Sequence, residues 1–132
     1  MSLKLRLKPE EKVLIGRAVI RNGLKASEFT VENSVPILRQ KDIMSESEAD
    51  SPARRLYFAV QLMYIDQENL VAYHEKFWEM AREILAAAPS TKPHMEKISE
   101  RILVGDYYQA LKFTKKLIEY EEELIAHVKQ SL

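Results

Sequence analysis

A chain of 132 residues, 46% hydrophobic and 30% charged, suffices for one ordinary domain or two small halves and has the make-up of a globular protein. The absence of cysteine excludes disulfide scaffolds, thiol nucleophiles and thiolate metal sites, and it fits a cytoplasmic address. The formal net charge is zero, yet residues 1–44 carry nine Lys/Arg against five Asp/Glu, whereas residues 56–132 carry nine against twelve. A basic front and an acidic back point weakly toward nucleic acid at the basic end.

Leu3-Lys4-Leu5-Arg6-Leu7-Lys8 alternates apolar and charged residues, the period of a half-buried strand, and holds no apolar signal-peptide core. Pro9-Glu10-Glu11 interrupts it with turn chemistry. Val13 to Gly16 and Ala18 to Ile20 read as short strands with a glycine kink between them. Asn22-Gly23 is a hairpin signal, because both residues tolerate positive φ. Glu28 to Val31 is a further strand, Asn33-Ser34 a turn, and Val35 to Arg39 a last strand in which Pro36 marks an edge or a start. Short strands at this spacing predict a meander or a small barrel.

Residues 40–51 turn polar, and 45–51 form the expected linker. Ser51-Pro52 opens a helix in the preferred way, with Ser as N-cap and Pro at the first position. Ala53, Leu56, Tyr57, Val60, Met63 and Tyr64 give it one apolar face. A second helix is expected from Glu68 to Ala88, ended by Pro89-Ser90-Thr91, and a third from Pro93 to Val104. Gly105 breaks the chain before a long helix from Asp106 to Lys129. The expected fold is therefore α+β: a basic antiparallel β subdomain over residues 1–44, then a helical subdomain of about four helices over residues 52–132. No stretch approaches the ~20 consecutive apolar residues of a membrane span, so a soluble protein with no membrane partner is expected.

Catalytic chemistry finds little support. His74-Glu75 begins like an HExxH zinc site, but Trp78 stands where the second histidine belongs. Glu123 and His127 lie four apart on a helix without a third ligand, the spacing of a surface pair. Three glycines, at 16, 23 and 105, cannot build a phosphate loop or a dinucleotide fingerprint. Neither an enzyme nor a cofactor is expected, and no metal site.

What remains is a binding surface. Alternate residues of a strand share a face, so Lys4, Arg6 and Lys8 point one way. Arg39 and Lys41 end the last strand, and if the first and last strands meet, these cations form a patch for phosphates or base edges. The other reading is that they keep an edge strand from aggregating. Arg54 and Arg55 sit in a first helical turn, where cations oppose the helix dipole. They either pair with Asp42, Glu46 or Asp50 or reach an anionic ligand. A rival surface for a protein partner lies around Tyr107, Tyr108 and Tyr120, whose alternative role is buried packing.

Read in order, the chain resembles the FlbT family of bacterial flagellin regulators. The resemblance is carried by Leu3-Lys4-Leu5, Leu7-Lys8-Pro9, Glu11-Lys12, Asn22-Gly23, Leu38-Arg39, Lys41 to Met44 and Pro52-Ala53-Arg54-Arg55 with Tyr57-Phe58. Tyr107-Tyr108, Ala110-Leu111, Lys116-Leu117-Ile118 and Tyr120-Glu121 close it. It implies repression of flagellin synthesis through the 5′ untranslated region of flagellin mRNA, with FlaF and flagellin as protein partners. The alternative it leaves is a chaperone-like adaptor for those partners, with indirect effects on RNA. Leu3 to Gly16 and Ile37 to Arg39 are also similar to the first and last strands of the carbon storage regulator family, CsrA. That family binds mRNA leaders as dimers, through basic residues on those strands. Lys8 and Arg39 fall near its binding positions, while Leu7 replaces one of its basic residues. This similarity implies a homodimer through the β subdomain.

Overall fold

The structure, a computed structural model, describes residues 2–131. The chain divides into two compact units, Met1–Ile43 and Met44–Leu132. The first holds five strands: β1 (Leu3–Leu7), β2 (Lys12–Ile15), β3 (Ala18–Arg21), β4 (Ser27–Val31) and β5 (Ile37–Arg39). They do not form a meander. β1 pairs with β4 in one antiparallel ladder, and β2 lies between β3 and β5 in another.

Two local features redirect the chain. Gly16, at φ +59°, makes the turn of a β2–β3 hairpin rather than a kink within one run, a conformation that suits a residue without Cβ. Asn22-Gly23 does not make the expected two-residue hairpin. Instead the Asn22 amide Nδ2 donates to the carbonyls of Leu7, Lys8 and Lys25, at 2.8 to 3.2 Å, and its Oδ1 accepts from Ser27 Oγ at 2.7 Å. A side chain that satisfies several carbonyls substitutes for a backbone turn. Glu10 N donates to the Gly23 carbonyl at 2.8 Å, and Asn22 N to the Glu11 carbonyl at 2.9 Å, prolonging the β2–β3 ladder. β5 begins after Pro36 and is an outer strand of its sheet, a position that suits a proline neighbour. Leu5 and Leu7 of β1, Val13 and Leu14 of β2, and Leu38 of β5 are buried, while Lys4 and Arg6 face out.

The second unit holds α1 (Pro52–Ile65), α2 (Leu70–Ala87), α3 (Lys92–Leu103) and α4 (Tyr107–Ser131). Residues 44–51 are ordered against α1. Met44 exchanges two hydrogen bonds with the buried Gln61 side chain, at 2.8 and 2.9 Å, and Ser45 and Glu48 form a capping box around a 3-10 turn. Ser51 caps α1 by accepting from Arg54 N at 3.2 Å, with Pro52 in the first turn. α2 starts at Leu70 rather than Glu68, because the Asp66 carboxylate gathers Glu68 N, Asn69 Nδ2 and Tyr73 Oη around a separate 3-10 turn. Another 3-10 turn spans Pro89–Thr91.

α3 ends in a Schellman motif: Gly105, at φ +75°, donates to the Ile102 carbonyl, and Asp106 donates to that of Arg101. α4 packs along α1 and α3, and α2 along α1. Leu56, Val60, Met63, Phe77, Ile98, Ile102 and Leu117 are fully buried. Thr114, the polar member of that core, donates to the Ala110 carbonyl at 2.7 Å. Among the described residues, no helix is long and apolar enough to cross a membrane.

Candidate nucleic-acid interface

The β unit brings Arg6, Lys8, Arg39 and Lys41 to the rim of one broad, open depression of about 1040 Å³. Pro9, Glu10, Glu11, Ala26 and Gln40 line it as well. The first and last strands thus contribute to one surface without being ladder neighbours. Lys8 lies where the chain leaves β1, and Lys41 in the 3-10 turn Gln40–Asp42 that follows β5.

The four cations are not equivalent. Arg39 is pinned: its guanidinium donates to the Arg6 carbonyl at 2.6 Å and to Glu11 Oε2 at 3.2 Å. Glu11 also accepts from Lys8 N at 2.9 Å, and this backbone donor, with Arg39 behind it, holds the carboxyl below the usual glutamate range. Arg6 faces Glu28 across the β1–β4 ladder and binds it at 2.6 Å, and Lys4, on the diagonal, binds the same carboxylate at 3.0 Å. One acid therefore serves both β1 cations, and Lys4 does not line the depression. Lys8 and Lys41 are exposed and make no ion pair among the described residues. These two have the least to give up on meeting a phosphate.

Arg54 and Arg55 belong to the helical unit. Arg54 binds Asp50 at 2.9 Å and Glu122 of α4 at 2.8 Å, which answers the unfavourable helix dipole with two acids. Arg55 is exposed and lies at the edge of a cleft of about 270 Å³, whose floor includes Ala53, Met80, Ile84, Leu117 and Leu124.

The three tyrosines do not converge. The Tyr107 hydroxyl meets His74 Nε2 at 2.9 Å, and burial raises its phenol above the ordinary range. Tyr108, 38% exposed, leans on Tyr64 with ring centroids 5.7 Å apart. Tyr120 donates to Ser90 Oγ at 2.7 Å and lies against His94. Tyr107 and Tyr120 are about 20 Å apart along α4 and serve packing between helices. Among the described residues, no group of three or more His, Asp or Glu could hold a metal.

The family model for "Flagellar protein FlbT" matches residues 3–125. The chain belongs to the FlbT family. A Bradyrhizobium diazoefficiens protein named "Probable flagellum biosynthesis repressor protein FlbT 1" is 42% identical, over 94% of this chain and 85% of that protein. A Caulobacter sp. protein of the same name without the numeral is 38% identical, over 97% and 99% of the two chains. The Caulobacter vibrioides "Flagellum biosynthesis repressor protein FlbT" is 37% identical over 97% of this chain and 92% of its own length. No solved structure gives a significant match. The FlbT match takes in both units, so the strands and the helices are alike parts of the family's common chain.

The acids that occupy Arg6 and Arg39 are not apparent from local sequence. Glu28 and Glu11 stand 22 and 28 residues from Arg6 and Arg39, and nothing in local spacing ties them together. For Glu28 a signal existed, since pairing the two alternating strands Leu3–Leu7 and Ser27–Val31 puts Arg6 opposite Glu28.

Proposed function

We propose that this FlbT-family chain represses flagellum biosynthesis by acting in the cytoplasm on the 5′ untranslated region of flagellin mRNA, through the cationic depression of its β unit. The observation that carries this reading is the convergence of Arg6, Lys8, Arg39 and Lys41 on one open surface. The repressor names of the similar proteins support the sense of the regulation. Lys8 and Lys41 supply phosphate contacts, Arg6 exchanges Glu28 for a phosphate, and Arg39 shapes the rim. The test is titration of purified protein with a labelled flagellin leader at several salt concentrations. Lys8→Ala and Lys41→Ala should each weaken binding and flatten the log–log salt slope by about 0.7. Unchanged affinity and slope in both would remove the depression as the RNA site.

A second reading concerns protein partners. The apolar cleft of the helical unit passes through Leu124 toward the exposed Ile125 and Val128 at the end of α4, which favours a seat for FlaF or flagellin over the dispersed tyrosines. Co-purification with and without nuclease separates the readings. Recovery of the partner only when RNA is intact would remove direct protein binding. We also propose a homodimer through the β unit, because all four residues of β3 are exposed, Val19 and Ile20 among them. A monomeric mass by light scattering at micromolar concentration would refute it.

A further inference from the structure

Two kinds of contact hold cations of this chain in place. In the β unit and at the start of α1, Lys4 and Arg6 share one carboxylate and Arg39 and Arg54 rest on others, which hold them in place and offset part of their charge. On the flank of the helical unit, lysines rest on aromatic rings instead. Lys97 of α3 and Lys116 of α4 both sit over Phe113, with Nζ 5.9 and 5.8 Å from the ring centroid. Lys112 sits over Tyr108 at 4.9 Å. All three lysines are exposed, and none makes an ion pair among the described residues. A ring contact orders an ammonium through the quadrupole of the π face without neutralising it, so positive potential is kept while side-chain freedom is reduced.

The local sequence concentrates the effect. Residues 107–118 hold Lys112, Lys115 and Lys116 and no acid, and the acids of α4 begin at Glu119. Lys112 and Lys116 are four apart on one helix, a like-charge spacing that costs helix stability. Asp106, just before the first turn of α4, is taken by Arg101 at 3.6 Å.

We propose that the α3–α4 flank bearing Lys97, Lys112 and Lys116 is a second contact surface for the phosphate backbone of single-stranded RNA. The proposal rests on the reading that this chain acts on mRNA, and it adds a site in the other unit. Unneutralised lysines beside aromatic rings are the combination that tracks a flexible, base-bearing polyanion. Phe113 is a positioning residue that fixes two of the three cations.

The test uses the full chain and a fluorescein-labelled oligouridylate of about 20 nucleotides. Anisotropy titrations at several salt concentrations compare the wild type, the Lys97→Gln/Lys112→Gln/Lys116→Gln variant, the Lys8→Ala/Lys41→Ala variant and Phe113→Leu. Loss of three contacts should flatten the salt slope by about 2, so between 50 and 200 mM salt the triple variant loses about 18-fold less affinity than the wild type. The matching triple Lys→Arg variant should restore the slope. Phe113→Leu should lower affinity about 5-fold with the slope unchanged, because the charges stay and only their holder is lost.

A triple Lys→Gln variant that binds like the wild type, while Lys8→Ala/Lys41→Ala loses affinity, overturns this site and leaves the β-unit site standing. The converse supports this site and removes the other. A wild-type chain with no affinity for the probe overturns the proposal. So does competition by polyglutamate equal to that by RNA of the same charge, which would assign the flank to an acidic protein segment.

Discussion

Arg39→Ala and Lys8→Ala sound like equivalent probes of one patch, and the structure makes them different experiments. The Lys8 side chain is exposed and makes no ion pair among the described residues, and its backbone bonds survive truncation to Ala. Arg39 ties β5 to the Arg6 carbonyl of β1 at 2.6 Å and to Glu11 at 3.2 Å. A hydrogen bond with a charged donor contributes about 1.5–3 kcal/mol. The Arg39 side chain is 38% exposed, so solvent screening discounts this to about 1–2 kcal/mol. Among its described residues the β unit buries five apolar side chains, so such a loss is a large share of what holds it. Amide hydrogen exchange in β1, β2 and β5 should therefore accelerate about 5- to 30-fold in Arg39→Ala. Lys8→Ala should stay within about twofold of the wild type, and Arg39→Lys, which keeps a charged donor, should fall between. Wild-type exchange in Arg39→Ala would refute the pinning role and return Arg39 to the list of simple RNA contacts.

The helical unit offers sharper tests of stability. Glu121 of α4 caps α1 from outside, accepting from Ser51 Oγ at 2.5 Å and Ala53 N at 2.9 Å. Glu121→Ala should cost about 2 kcal/mol, a fall of roughly 8–16 °C in Tm for a domain of this size, and Glu121→Gln about half as much. A Ser51→Ala background in which Glu121→Ala costs the same would sink this assignment. Gly105→Ala should cost about 1 kcal/mol in urea denaturation, because its φ of +75° is strained for any residue with a Cβ. Acid should also act on this unit. Glu48, held by the Ser45 backbone N–H, and Asp50, held by the Arg54 guanidinium, have folded-state pKa values below their ordinary 4.5 and 3.8. Their contribution is thus full at neutral pH and lost as pH falls through the depressed values. Urea midpoints followed down to about pH 3 should fall less steeply in Glu48→Gln/Asp50→Asn, and identical slopes would contradict the reading.

How far the sequence reached depends on the range of the interaction. The alternation of Leu3 to Lys8, the Ser51-Pro52 start, the Gly105 break and the helical stripes are local, with the period and the cap residue within a few positions. They place the starts of all four helices and the ends of the last three to within two residues, and they put Leu5 and Leu7 inside with Lys4 and Arg6 outside. The missing residues of a metal or phosphate motif were equally legible. The role of Asn22 is not legible locally, because its side chain bonds to Leu7 and Lys8, more than a dozen residues away, and outcompetes the local turn.

The tertiary structure alone decided which charges remain to be used. Summed along the chain, the front is basic and the back acidic. In space, Glu28 and Glu11 occupy Lys4, Arg6 and Arg39 of the front, while Lys97, Lys112 and Lys116 keep their charge over aromatic rings in the nominally acidic half. Electrostatic energy falls off with distance through space and not along the sequence, so a residue count gives the total charge, and only the fold determines where it can act.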